Sequence, residues 1–280
     1  MSKKNVDVKG VVFGRETEFV LIGGPCVIES AEHARKHAEK IIEIVSRYKI
    51  PYVFKASFDK ANRSSSRSFR GPGIDEGLKI LQGIKKEFQV PVVSDVHSIE
   101  QIKPCAEVLD ILQIPAFLCR QTDLLFAAAE TGCAVNVKKG QFLSPWEAKN
   151  IVEKFEEIGC EKIMLTERGF SFGYRNLVSD FRSIQIMREY GYPVVFDATH
   201  SVQLPGGQGA SSGGASEFIP MLARCALVAG ADAIFMEIHE NPEKALSDGP
   251  NAMHLSKLDQ VLNELVIIKE AMNQAVGAKV

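Results

Sequence analysis

Cys26, Lys55, Asp95, Gln113, Lys138, Arg168, His200 and Glu237 are far apart in the chain, yet each stands at or just past the end of an apolar run. Together they offer a thiol, an imidazole, two carboxylates, an amide and three cations. Assembled in one place, such a set makes a site for an anionic substrate with a metal ion. Cys26, His200 and Glu237, joined by Asp248, supply the mixed donors that suit a first-row divalent ion such as Zn, Fe(II), Mn or Co. No compact metal motif links the four. Spacing alone therefore leaves a second reading open: Cys26 a buried thiol, His200 a satisfied imidazole and Asp248 a helix cap.

A second constellation is cationic. Residues 55–64 crowd Lys55, Ser57, Lys60, Asn62, Arg63 and Ser64 into one strand-end loop, while Lys138-Lys139 and Arg168 close two further apolar runs. A lysine at the end of an apolar run needs an anionic partner or a pocket. Arginine forks and lysine point charges suit phosphate and carboxylate. So many cations suit more than one anionic group, as in a substrate pair carrying two phosphates. Asp95 is placed to bind a sugar hydroxyl or to orient a lysine. Glu167 reads as a partner for Arg168, and Asp123 as a helix-start residue. His239 reads as a surface or supporting group on Glu237's side of its strand.

Only certain folds bring these residues together. The apolar runs read as strands over Phe19–Cys26, Pro51–Ser57, Pro91–Asp95, Val108–Ile114, Ala134–Lys138, Lys162–Arg168, Pro193–His200 and Ala233–His239, with helix-length stretches between them. Eight strand–helix units in about 250 residues predict a closed (β/α)8 barrel, whose C-terminal strand ends face one pocket. Ahead of it, residues 4–22 alternate around Gly14-Arg15-Glu16-Thr17, which predicts a hairpin covering the barrel bottom, its second arm running into the first barrel strand. Ser144-Pro145-Trp146-Glu147 predicts a capped helix to Ile158, and Ser256 opens a last helix striped by Leu258, Val261, Leu262, Leu265 and Ile268. The glycine-rich stretch Leu204–Gly214 leaves directly from the His200 strand, which favours a mobile lid over a plain surface loop. Asn241–Asn251 carries Asp248 onto the same face.

Composition narrows the rest. The 280 residues suit one catalytic domain, with 1–18 as an extension, and no low-complexity linker divides them. A net charge of −2 gives no sign of a nucleic-acid surface or a polybasic membrane anchor. No apolar run approaches the ~20 residues of a membrane span, and the N-terminus lacks a secretory signal, so a cytoplasmic location is expected. The six cysteines form no close pair; Cys105, Cys119, Cys133, Cys160 and Cys225 read as small core residues.

At these residues the chain closely resembles the 3-deoxy-D-manno-octulosonate 8-phosphate synthases. The segments that carry the likeness are Phe58–Ser65, Gln113–Asp123, Asn136–Lys139, Phe172–Tyr174 and Asp197–His200. Gly24-Pro25-Cys26, Gln203–Gly207 and Leu246–Asp248 resemble the metal-dependent branch, whose metal-free counterpart has asparagine in place of the cysteine. Ser66-Arg67 departs from the family, which has an apolar residue and a histidine there. The resemblance implies a transferase of lipopolysaccharide biosynthesis that condenses phosphoenolpyruvate with arabinose 5-phosphate. It assigns Cys26, His200, Glu237 and Asp248 to the metal, Lys55, Lys60, Lys138 and Arg168 to phosphoenolpyruvate, Gln113 and Gln141 to the pocket lining, and Ser57 to the substrate-binding set. Asn62, Arg63, Ser64 and Asp95 fall to the sugar phosphate, with Lys60, His200 and Asp248 nearest the chemistry. It also implies a homotetramer. Two rivals remain: the related synthase that uses erythrose 4-phosphate, whose sugar loop reads Lys-Pro-Arg-Thr, and a non-catalytic barrel that senses a phosphorylated ligand.

Overall fold

The computed structural model describes residues 4–62, 68–171, 176–204 and 213–277. Eight parallel strands close on themselves: β1 (Val20–Gly24), β2 (Tyr52–Lys55), β3 (Val92–Asp95), β4 (Ile111–Ile114), β5 (Ala134–Lys138), β6 (Ile163–Glu167), β7 (Val194–Asp197) and β8 (Ala233–His239). β8 pairs with both β7 and β1, which completes the (β/α)8 barrel that the strand spacing predicts. Helices α1 (Ala31–Arg47), α2 (Ile74–Phe88), α3 (Ile99–Ala106), α4 (Thr122–Glu130), α5 (Lys149–Glu157), α6 (Arg182–Arg188), α7 (Ile219–Val228) and α8 (Leu255–Gly277) connect the strands and follow the last. Each turns an apolar stripe inward. On α5, for example, Ile151, Val152 and Phe155 are buried, each such side chain contributing about 1.5–3 kcal/mol.

Inside the barrel the period of two makes two layers. Ile22, Val53, Val93, Ile111, Ala134, Met164, Val195, Ala233 and Phe235 form an apolar floor, sealed from below by Val6, Val8 and Phe13. Two residues further along their strands come Lys55, Asp95, Gln113, Asn136, Thr166, Asp197 and Glu237, all buried. Of the expected site residues, Lys55, Asp95, Gln113 and Glu237 belong to this second layer.

Several expected boundaries move, each for a local reason. Val6–Val8 pairs with Val11–Phe13, so the hairpin turns at Lys9-Gly10, both at positive φ, and not at Gly14–Thr17. β4 begins at Ile111 and not Val108, because the Asp110 carboxylate accepts the Val92 amide and ends the loop there. β7 stops at Asp197, whose Oδ1 accepts the amides of Thr199 and His200 and curls the chain into a 3-10 turn over His200–Val202. α8 starts one residue ahead of Ser256. The helix after Ser144 opens as a 3-10 turn, with Glu147 accepting the Ser144 amide as the capping box requires. Cys105 and Cys119 are buried, Cys133 and Cys160 half-buried, but Cys225 is exposed on α7 and is no core residue. No helix among the described residues is long and apolar enough to cross a membrane.

Candidate active site

Above the polar layer, at the C-terminal strand ends, opens a cavity of about 900 Å³. Lys60, Asn62, Asp95, Lys138, Gln141 and Arg168 line it on one side, His200 and Asp248 on another. The neighbouring Arg63, Ser64, Ser66 and Arg67 lie outside the described residues, as do 172–174 and most of the glycine-rich loop. The ends of that loop meet, Gln203–Leu204 pairing with Gly213–Gly214.

From β2 to β6 the polar layer is a relay of buried hydrogen bonds. Thr166 donates to Asn136 Oδ1 at 2.6 Å, Asn136 Nδ2 to Gln113 Oε1 at 3.0 Å, and Gln113 Nε2 to Asp95 Oδ1 at 2.6 Å. Ser57 donates to the other oxygen of Asp95. Every donor points toward the carboxylate, which fixes both amides in one orientation and leaves Asp95 an acceptor only. Burial would push its carboxyl up, but Lys55, Lys60 and Lys138 hold it far below the usual range. Gln113 and Ser57 thus reach Asp95 and not the cavity. Asn136 and Thr166 were missed as site residues by the sequence reading, although their period-two spacing ahead of Lys138 and Arg168 carried the signal.

Across β7, β8 and β1 the arrangement is different. Glu237 Oε1 accepts the Lys55 ammonium at 2.6 Å and faces that of Lys60 at 3.5 Å. Lys55 is wholly buried, its remaining bond going to the Cys26 carbonyl at 2.9 Å; it lies beneath the cavity as a counter-charge. Burial would raise the Glu237 carboxyl, yet Lys55, Lys60, His200 and Lys138 keep it well below the ordinary value. Lys60 goes the other way: burial would lower it, and the acidic groups around it raise it well above its usual value. Lys138 bonds Asp197 Oδ2 at 2.6 Å over the Phe235 ring. Arg168 donates to the Gln203 side chain at 2.5 Å and to the His200 carbonyl. Glu167 partners it through the main chain: its carboxylate accepts the amides of Arg168 and Gly169 and lies 3.6 Å from Lys139. Asp123 sits in the first turn of α4, as expected.

The expected metal donors converge. Ligating atoms of Cys26, Glu237 and Asp248 all lie within 4.8 Å of one another. His200 stands just outside that group, Nε2 at 3.7 Å from Glu237 Oε2. Its Nδ1 is 2.7 Å from Asp197 Oδ2, off the line of a straight hydrogen bond. Asp197 was also missed, its signal being an acid three residues before the histidine. Backbone geometry helps: a Cβ on Gly24 would lie 2.1 Å from the Lys55 carbonyl oxygen, so glycine alone lets β1 deliver Cys26 here. Cys26 Sγ rests 2.9 Å from Ser247 Oγ and 3.3 Å from Asp248 Oδ2, and burial pushes its thiol well up. Glu237 Oε2 is buried with no hydrogen-bond partner among the described residues. A buried carboxylate oxygen left unbonded beside a thiol, an imidazole and a second carboxylate fits a divalent cation. A second group of potential ligands, His33, His37 and His239, lies behind this one against α1. His239 is buried against Glu29 and His33, so it is a supporting group and not a surface one.

Sequence comparison bears on this geometry. A profile of the DAHP synthetase I family matches residues 2–274. A Geobacter metallireducens protein named 2-dehydro-3-deoxyphosphooctonate aldolase is 58% identical over 265 residues, 95% of this chain and 97% of the relative. Proteins of the same name from Trichlorobacter lovleyi (59% over 262 residues; 94% and 96% covered) and a Cyanothece species (60% over 254; 91% and 93%) are equally similar.

Proposed function

The chain belongs to the DAHP synthetase I family, and we propose that within it this enzyme is a transferase that condenses phosphoenolpyruvate with D-arabinose 5-phosphate and water. The products are 3-deoxy-D-manno-octulosonate 8-phosphate and inorganic phosphate. The observation that carries this reading is identity of 56–60% over nearly the whole chain with relatives named 2-dehydro-3-deoxyphosphooctonate aldolase. The cation-lined cavity supports it.

Lys60, Lys138 and Arg168 hold the phosphate and carboxylate of phosphoenolpyruvate, with Gln141 beside them and Lys55 supplying charge from below. Asn62, Arg63 and Ser64 receive the sugar phosphate, and Asp95, held by Ser57 and Gln113, takes a sugar hydroxyl. The third carbon of phosphoenolpyruvate attacks the sugar aldehyde and forms the new carbon–carbon bond, leaving positive charge on its second carbon. Water adds there, and the resulting tetrahedral centre expels phosphate to leave the ketone. Holding both substrates at attack distance and countering the phosphate charge are the main contributions of the cations. Cys26, His200, Glu237 and Asp248 would hold a divalent ion (Zn, Fe(II), Mn or Co), which supplies polarisation of the aldehyde or a more acidic water. Lys60, His200 and Asp248 are then the groups nearest the reacting atoms and the protons they exchange.

We further read 1–280 as one catalytic domain, with 1–18 as an extension, working as a cytoplasmic homotetramer; light scattering on the purified protein measures its mass. The activity is tested by phosphate release from phosphoenolpyruvate with arabinose 5-phosphate and, separately, with erythrose 4-phosphate. Turnover with the five-carbon sugar alone is expected. Preference for erythrose 4-phosphate would install the rival synthase, and no turnover with either, despite binding, the sensor.

A further inference from the structure

Behind the site, a cluster on α1 reaches the loop that carries Asp248. Glu29, His33 and His37 recur every fourth residue; His33 and His37 share one face of α1, Glu29 stands just ahead of its N-cap Ser30, and all three meet His239 at the end of β8. Three histidines this close invite a metal, but their protons argue otherwise. His37 Nδ1 lies 2.9 Å from the His33 carbonyl, which can only accept, so its proton is there; Nε2 accepts the amide of Glu240 at 3.1 Å. His239 Nδ1 accepts the amide of Asn241 at 2.9 Å, which leaves its proton on Nε2, facing Glu29 Oε1 at 3.2 Å. Two of the three rings have thus committed their lone pairs to main-chain amides, which leaves His33 alone and no set of histidines for an ion.

What the cluster holds is the loop. Glu29 Oε1 accepts a third amide, that of Leu246, at 2.9 Å. The three amides at 240, 241 and 246 lead directly into Ser247 and Asp248, whose side chains touch the Cys26 thiol. Asp248 itself sits at φ +48°, a left-handed conformation that a non-glycine residue keeps only where its surroundings fix it. We propose that Glu29, His37 and His239 are positioning residues, which anchor the loop after β8 so that Asp248 stands against Cys26. This rests on reading Asp248 as a working group of the site.

Hydrogen exchange on the metal-free, full-length protein tests the anchor by itself. Glu29→Ala should speed exchange of amides 240–251 about tenfold or more while β2–β6 keep their protection. Glu29→Gln, whose side-chain oxygen still accepts the Leu246 amide, should stay near the wild type. Unchanged exchange in Glu29→Ala, or a rise spread over the whole barrel, overturns the proposal. Co(II) titration then asks whether the anchor acts through Asp248, using the thiolate-to-cobalt absorption as the sign that Cys26 is engaged. Glu29→Ala should weaken Co(II) binding about tenfold with the band retained, and add nothing once Asp248→Ala is present. Additive losses would mean that Glu29 works elsewhere and would sink the idea. A wild-type protein that binds no Co(II) at all refutes the metal reading, and the exchange result alone then decides the anchor.

Discussion

From β2 round to β6 the inward polar layer is joined side chain to side chain, whereas across β7, β8 and β1 the same layer keeps valence in reserve. On the first side, Thr166, Asn136, Gln113 and Ser57 all direct their donors to Asp95. On the second, Glu237 Oε2 is buried without a hydrogen-bond partner among the described residues. Both halves come from one strand pattern and one depth in the barrel. Buried polar groups left unpaired cost a fold about 1–3 kcal/mol each, so they mark where something other than the chain completes the bonding. The joined residues hold Asp95 in place, and the unbonded Glu237 oxygen is left open to a cation. Substitutions should therefore fail in different ways on the two sides.

The sharpest break is Glu237→Gln. It leaves Lys55 and Lys60 facing each other with their shared counter-charge gone. Removing one member of a buried ion pair costs about 3–5 kcal/mol, and loss of a donor at the reacting centre should lower kcat/KM by roughly three orders of magnitude. Denaturant unfolding and the phosphate-release assay read the two effects. Wild-type values for both would erase the contrast between the halves.

Cys26→Asn separates ligand from packing. As a metal donor, Cys26 should take the thiolate-to-cobalt band with it and weaken binding on the order of 100-fold, with the barrel still folded. As a mere core thiol it would leave metal content unchanged while the new buried amide lowers the melting temperature. Metal analysis and melting on one preparation distinguish these outcomes. Arg168→Ala should be milder: a lost charged hydrogen bond of about 1.5–3 kcal/mol, seen as a rise of about 10–150-fold in the KM for phosphoenolpyruvate. A change confined to the sugar phosphate would reassign that side of the cavity.

Strand order and the inward residues were legible in the sequence, because a period of two ending in Lys138, Asp95 or Glu237 leaves few alternatives for a buried charge. Boundaries were less so. His200 reads as the end of β7, but Asp197 turns the chain three residues earlier through bonds to main-chain amides, and an aspartate looks the same in sequence whether it caps, binds or pairs. The relay was invisible for a similar reason: Asn136 and Thr166 are ordinary strand residues until Gln113 and Asp95 are set beside them by the register of β3 to β6. Lys55 was read as a substrate contact, and only the packing shows Glu237 occupying its ammonium. Glu29, His33 and His37 carry a visible four-residue spacing whose purpose is hidden in sequence, since its partner amides lie more than 200 residues away.

The smallest effect is expected in the relay, and it tests the orienting half on its own terms. Asn136→Leu fills nearly the same volume but offers Thr166 no acceptor and Gln113 no donor. Gln113 Oε1 is then buried and unbonded, and its amide is held only by its bond to Asp95. The cost should be about 1–3 kcal/mol, which for a domain of this size is a fall of roughly 2–10 °C in melting temperature. Because no open donor of the metal or phosphate groups is touched, Co(II) affinity should stay within about threefold of the wild type and the KM for phosphoenolpyruvate should move little. The sugar phosphate should bind less well, since Asp95 loses its fixed orientation. Thr166→Val, one step further from Asp95 and leaving Gln113 paired, should cost less on every measure. Equal losses from the two variants would show that the relay is packing and not orientation; a graded response that reaches the sugar but not the metal would show that the two halves of the rim work separately.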